Sequence, residues 1–432
     1  RDQLKIGSFT IDPFRVSHSV PDAVGLSITT PVGRVFHVPD YKFDWSPVDG
    51  RQFDVAKAAR LAQNGVVCLA SDGLGATSEG YTKSELDLEK NIELIIEQAP
   101  KKVIFTTLSS NISRIQQAVR ASVRLGRKVT FVGRSIETKA DIARQLKFLH
   151  YKPDVAVSPR DAQRLLPNKI TYIISGSYGQ LGSSLYRAAQ GEHDLVKIDR
   201  DDVVIFSADP KPPGTEQAVN YVVDNLIERG AVVHYYDTQE DLHVSGHGSQ
   251  KEIEMLAALI RPKYFIPIGS TVRHMRAYKE LMGHMGFSKD SVFELMPGDI
   301  VEFTKEGARR AGNVPVHDVL VDGLGVGDVG NVVLRDRKTL AQEGIVVVVV
   351  QYDGANKELI EPPEIISRGF VFHKEQQAFL QQAAKELERQ LRVKVKRADK
   401  NVARGTTIDF LERYFFRETG RRPMVLPVII EI

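Results

Sequence analysis

The chain has 432 residues, 42% of them hydrophobic, enough for two or three packed cores rather than one. Its 58 Lys and Arg against 55 Asp and Glu leave a formal charge of +3, which excludes a broad basic field, so any nucleic-acid site has to be a local groove. One cysteine, Cys68, excludes internal disulfides, no apolar run has the length of a bilayer span, and residues 1 to 30 lack a secretion signal, which favours a reducing cytoplasm and no membrane partner.

Residues 1 to 72 hold short β-branched runs (LKIGSFTI, GLSITT, GRVFHV, GVVCLA) broken by Pro, Gly and Asp, and read as strands. From about residue 83 helix and strand patterns alternate. The strand patterns are KVIFTTL, RKVTFVG, ITYIIS, DVVIFSA and VVHYY, each separated by an amphipathic run, which predicts a parallel sheet with helices on both faces. Ligands gather at strand ends in such sheets, here Ser110 and Asn111, Gly133 and Arg134, Ser175 to Tyr178, and Ser207 with Ala208.

The stretch HVSGHGSQKEIEMLAALIRPKYFIPIG, residues 243 to 269, predicts a helix N-capped by Ser249 through a capping box with Glu252. Ile253, Leu256, Ala257 and Ile260 recur at helical spacing, and Pro262 stops the helix. His247 then stands just outside a helix N-terminus, where exposed N–H groups favour an anion, either phosphate or carboxylate. The polar stretch 305 to 318 reads as a linker. Beyond it lie a glycine-rich segment, the run GIVVVVVQY, a helix from about Glu375 to Leu391 and a last strand PMVLPVIIEI.

Gly325-Val-Gly327-Asp-Val-Gly330 matches the dinucleotide-binding glycine pattern. That motif needs a following helix, whereas NVVLRDRK reads as a strand and then a turn, so a glycine-rich turn is the expectation and a nucleotide-dependent oxidoreductase the weakest reading. Arg392, Lys394 and Lys396 alternate with valines, as on a strand with one solvated face, and Arg397 extends the charge. His18 and Asp40 stand at strand ends, where metal ligands are often presented, but two ligands do not make a site. Asp72 closes GVVCLASD and can orient a histidine or cap a turn.

Taken in order, HSVPDAVGL, PDYKFD, SDG with GYTKSE, SSNISRIQQ, SGSYGQ, PPGTE, HVSGHGSQKE, VDGLGVGDVGNVVLRDRK, IISRGFVF and RRPMVLPVIIEI resemble ribonuclease J, of the metallo-β-lactamase superfamily and its β-CASP branch. The resemblance implies an α/β chain: a partial metallo-β-lactamase-type αββα domain (1–86, returning at 240–304), an inserted parallel-sheet β-CASP domain (87–239), a linker (305–318) and a small α/β C-terminal assembly domain (319–432). By resemblance, His18 and Asp40 are metal ligands, Asp72 is the acidic β-CASP residue, and His247 is the histidine beside the scissile phosphate, a proton donor or transition-state contact. Ser245, Gly246, Gly248 and Ser249 correspond to the loop that receives RNA phosphate, with Ser177 and Arg134 as further phosphate contacts.

The family uses two zinc ions. Its H-x-H-x-D-H segment, which supplies most of their ligands, is expected ahead of Arg1, and PIGST puts Gly269 where relatives carry a zinc-binding histidine. The expected function is therefore RNA processing and degradation by metal-activated water, with this chain metal-deficient and inactive alone. The alternative is a noncatalytic RNA-binding subunit that pairs with an active paralogue. Single-stranded RNA and a homodimer or homotetramer formed through the C-terminal domain are the implied partners.

Overall fold

The computed structural model describes residues 3–209, 214–322, 325–326, 330–353, 355–356, 358–370, 376–394 and 400–431. They form two units, Arg1–Pro315 and Val316–Ile432. Among the described residues no helix is long and apolar enough to cross a membrane.

The first unit contains two sheets. One has six strands in the order Leu4–Ile6, Phe9–Arg15, Val24–Thr30, Gly33–Val38, Val66–Asp72 and Pro262–Ile268. The first four are an antiparallel meander, and the last two run parallel to Gly33–Val38. The helices Gln250–Ile260 and Val272–His284 add Leu256, Ile260, Tyr278 and Met282 to a core with Phe14, Phe36, Leu69 and Phe265.

This topology builds an edge. The pairing sets Ile268 opposite Asp72 and Val38 opposite Ser71, so three parallel strands end together, and Asp40, Asp72 and Gly269 all lie at or just beyond that end. A bridge between Ser17 and Lys42 draws His18 toward the same edge.

The second sheet is parallel throughout, in the order Val232–His234, Val203–Phe206, Val103–Thr106, Ile170–Ile174 and Lys128–Val132. Its strands are apolar on both faces because both are covered. Val103, Phe105 and Ile205 join one core with Ile92, Ile115 and Ile136, while Ile104, Val204 and Phe206 join another with Leu185, Val222 and Leu226. These five strands are the ones read from the alternating pattern.

In the second unit Ile345–Asp353 is central, flanked by Glu364–Arg368 and Glu358–Leu359 on one side and by Met424–Glu431 on the other. Its inward face packs Val346, Val348 and Val350 on Leu387, Leu411 and Phe415 of the helices Gln376–Lys394 and Lys400–Thr419. Val347 and Val349 point the other way, so the GIVVVVVQY run is one-sided rather than buried throughout.

Three local expectations are corrected. Within the stretch read as a linker, Ala308–Asn313 is a strand paired antiparallel with Asp299–Phe303, its Arg309 bound to Glu302 at 2.6 Å and Arg310 to Asp299 at 3.2 Å. Residues 331–338, read as strand and turn, open the helix Asn331–Glu343. The preceding strand Gly325–Val326 is a two-residue antiparallel pairing and not part of the parallel unit that a nucleotide motif uses. Gly327 lies outside the described residues. Arg392 and Lys394 sit on a helix instead of a strand, where Arg392 meets Glu388 one turn back at 2.8 Å. Lys396, Arg397 and the first two residues of PPGTE lie outside the described residues.

Candidate active site at the ends of three parallel strands

Asp72 is buried, 4% exposed, at the end of its strand. Its Oδ1 accepts the Leu74 N–H at 2.9 Å, and its Oδ2 faces His247 Nδ1 at 2.6 Å. A carboxylate only accepts, so His247 carries a proton on Nδ1 and leaves Nε2 for another partner. Burial alone would depress the His247 imidazole, but the hydrogen bond and charge of Asp72, with the charge of Asp40, outweigh it and raise it above its ordinary range.

His18 is fixed in the same tautomer. Its Nδ1 donates to the Gly246 carbonyl at 2.8 Å, so Nε2 presents its lone pair, 3.7 Å from Asp40 Oδ2. Burial holds this imidazole below its ordinary range, and the Gly246 bond and the two carboxylates offset only part of that. The two rings meet edge to face, 5.2 Å between centroids. Gly246 is required by this approach, because a Cβ there would fall 2.7 Å from the His18 ring.

Ligand atoms of Asp40, Asp72 and His247 lie within 4.8 Å of one another, and His18 adds a further nitrogen beside Asp40. Carboxylate and imidazole donors are the types a divalent ion such as zinc takes, and with His247 committed to Asp72 the set left for an ion is incomplete. Donors for a second ion are not gathered among the described residues. Gly269 brings no side-chain donor to the edge of this cluster. Its φ of +63° is left-handed, and a Cβ built on it would lie 3.9 Å from Asp72 Oδ1, so a side chain at this position would start next to the cluster.

The phosphate loop differs from its expectation. Ser249 does cap the helix Gln250–Ile260, with Glu252 accepting the Ser249 N–H at 2.8 Å. From His247 to Lys251 the backbone donors are already engaged, however. The N–H of Gly248 goes to the Tyr41 carbonyl, that of Gln250 to Ser78, that of Lys251 to Gly80 and that of His247 to the Ser245 hydroxyl. Gly248 and Ser249 are also buried, so an anion finds side chains at this loop, above all His247, and no open helix end. Thr82 secures the loop, its hydroxyl donating to the His247 carbonyl at 2.8 Å and its N–H to Glu252 at 2.8 Å.

Arg134 and Ser177 lie elsewhere. They line an open cleft of about 700 Å³ at the strand ends of the parallel sheet, with Ser175, Ser183, Ser184 and Arg187. Gly133 and Gly176 form its turns at φ +110° and +122°, and a Cβ on either would strike Ser175 or Ser183. Asn111 and Ser207, read as edge residues of the same sheet, are structural. Asn111 caps the helix Ile112–Arg124, and Ser207 holds Arg114 at 2.6 Å.

The sequence reading missed a buried ionic network. Arg114 binds Glu85 at 2.7 Å, Lys42 lies 3.4 Å from Asp44 and 3.7 Å from Glu85, and Glu85 N–H donates to Asp44 at 3.0 Å. None of the four is more than 5% exposed, and together they tie the segment after Asp40 to the first helices of the inserted sheet. The usable signal was four charges set among apolar neighbours in PDYKFD, TKSEL and NISRIQQ.

Comparison with known proteins agrees with this architecture. Residues 100–226 match the family described as "Ribonuclease J, beta-CASP domain" and residues 332–432 "Ribonuclease J C-terminal domain". The chain is 34% identical over 422 residues to "Ribonuclease J2" of Bacillus subtilis (strain 168), covering 97% of this chain and 75% of that protein. It is 32% identical to "Ribonuclease J 1" of Streptococcus pyogenes serotype M3, over 99% of this chain and 76% of that one. It is 35% identical to "Ribonuclease J" of Thermus thermophilus, over 100% of this chain and 74% of that one. With a mixed α/β fold, an inserted parallel sheet and a site at the strand ends of the six-stranded sheet, the chain belongs to the ribonuclease J family of β-CASP nucleases.

Proposed function

We propose that the chain acts in RNA processing and degradation as a ribonuclease J-type metallohydrolase of phosphodiesters, with a metal centre that its own described residues hold only weakly. The carrying observation is the His247–Asp72 pair at 2.6 Å beside His18 and Asp40. Membership in the family implies metal use. His18 Nε2 and Asp40 would hold one divalent ion, of which zinc is our choice, while Asp72 stays bound to His247. When bound, such an ion supplies a Lewis acid and lowers the pKa of water.

The protein groups do the rest. Asp72 orients His247 and keeps it protonated, and Nε2–H is then available to a phosphate oxygen or a leaving group. Thr82 and the Glu252 cap hold the loop at a fixed distance. Ser177 and Arg134, in their cleft on the parallel sheet, are proposed to hold phosphates of single-stranded RNA away from the reacting one.

A second reading, a noncatalytic RNA-binding subunit beside an active paralogue, is favoured by Gly269, which offers no ligand where a side chain would start next to Asp72. The readings separate in an RNA-decay assay under divalent-metal titration. Metal-dependent cleavage lost in His247→Ala supports the enzyme, and RNA binding without cleavage at any metal concentration supports the subunit.

We further propose self-association as a homodimer or homotetramer through the second unit. Ile366, Leu426, Val428 and Ile430, exposed by 41 to 43%, line with Val347 and Val349 the face of the sheet turned away from its helices. The lone Cys68 is buried, in keeping with a cytoplasmic protein.

A further inference from the structure

The inserted sheet joins the rest of the first unit through two stretches of chain. One runs from Val66–Asp72 to Val103–Thr106, the other from Val232–His234 to Pro262–Ile268. Arg114, on the helix Ile112–Arg124 and 0% exposed, meets both. Its Nη2 donates to Glu85 on the outgoing stretch at 2.7 Å, and its Nη1 to the Leu242 carbonyl on the returning one at 3.0 Å. Nη1 also donates to the Ser207 hydroxyl at 2.6 Å, and that hydroxyl donates to the same Leu242 carbonyl at 2.5 Å.

Both contacts lead to the candidate active site. Leu242 is buried and stands five positions before His247. On the other side Asp44 accepts the Glu85 N–H, and the Lys42 ammonium lies between the two carboxylates. The segment next to Asp40 is in turn the mount for both histidines. Its Lys42 N–H donates to the Ser17 carbonyl beside His18, and its Tyr41 carbonyl accepts the Gly248 N–H beside His247. Stability does not account for this arrangement, because exchanging a buried ion pair for apolar side chains of similar volume is often neutral or stabilising. Geometry does: the planar guanidinium fork holds its acceptors at fixed angles, which sets the two stretches relative to each other.

We propose that Arg114 is a positioning residue for phosphodiester cleavage, holding the loop that carries His247 in place against the segment that carries Asp40. The inference rests on the reading that His247 serves the reacting phosphate, and it adds the group that fixes where that histidine stands. Arg114 acts through Leu242 and Ser207 on one side and through Glu85, Asp44 and Lys42 on the other.

The test separates positioning from stability with the double variant Arg114→Leu, Glu85→Leu. It removes both charges of the pair, and the Leu242 carbonyl keeps the Ser207 hydroxyl as a donor, so thermal unfolding should show stability above that of Arg114→Leu alone. Single-turnover cleavage at saturating RNA and raised zinc should nevertheless stay at least about tenfold below the parent, as misplaced reacting groups do. The imidazole 15N signals of His247, which report its bond to Asp72, should shift in the same variant. Cleavage that recovers together with stability, or His247 signals that do not move, overturns the role of Arg114 while cleavage by the parent upholds the His247 reading. A parent that cleaves at no zinc concentration overturns both.

Discussion

His247 Nδ1 and Asp72 Oδ2 lie 2.6 Å apart although 175 positions separate them in the chain, and the aspartate is buried at the end of a strand. The pair raises the histidine and fixes its tautomer. In NMR titrations the His247 imidazole should titrate above about 6.5 and His18 below it. In Asp72→Asn burial is unopposed by that charge, so His247 should fall. A group raised on folding stabilises below its unfolded pKa and loses that contribution as pH rises through the folded value. The melting-temperature advantage of the parent over Asp72→Asn should therefore be largest below about pH 6.5 and shrink on the alkaline side. An advantage that grows with pH contradicts the assignment.

Gly75 lies against the loop that carries His247, and a Cβ on it would fall 1.9 Å from the Gly248 carbonyl oxygen, a backbone atom that cannot rotate away. Gly75→Ala should cost about 1–3 kcal/mol of stability, as overpacking does, and displace His247 from Asp72. The check is thermal unfolding alongside the His247 titration. A side chain at Gly248 would likewise meet Glu252 and the Tyr41 carbonyl instead of solvent.

Arg114 neutralises Glu85 in a fully buried setting. Arg114→Leu removes one partner and leaves the other charge inside, which should destabilise the first unit by about 3–5 kcal/mol. Denaturant unfolding measures this, and the double variant with Glu85→Leu should recover part of the loss. A single variant as stable as the parent would show that the network carries no weight.

Val428→Glu together with Ile366→Glu places charge on the outer face of the C-terminal sheet without touching its core. Light scattering should then report a smaller assembly than the parent. An unchanged mass rejects this face as the contact.

Much of the fold is legible because burial writes itself into the sequence. Val103–Thr106 and Ile170–Ile174 are apolar on both faces, and Ser249 with Glu252 announces a helix start. The strand Ala308–Asn313 was hidden by its composition: exposed and charged, held by a hairpin and cross-strand pairs, it has no apolar period to detect. Residues 331–338 misled through Val332 and Val333, β-formers that lie exposed on a helix. Asp40, Asp72 and His247 were visible as strand-end and loop residues, and the fold brings them together. That the Gly248, Gln250 and Lys251 donors are engaged was not visible, since their acceptors, Tyr41, Ser78 and Gly80, come from remote segments.

On the proposed function, RNA chemistry is centred on His247 and Asp72 beside a weak metal centre that Gly269 leaves open. Zinc binding by calorimetry, paired with cleavage of a labelled single-stranded RNA by the parent chain and by Gly269→His, tests it most directly. Without added metal the parent should hold zinc weakly and cleave no faster than an EDTA-treated control, cleavage should appear as zinc is raised, and binding should tighten in Gly269→His as an imidazole enters the open position. Near-stoichiometric paired zinc in the parent as purified, no cleavage by it at any zinc concentration, or zinc affinity unchanged in Gly269→His would contradict this.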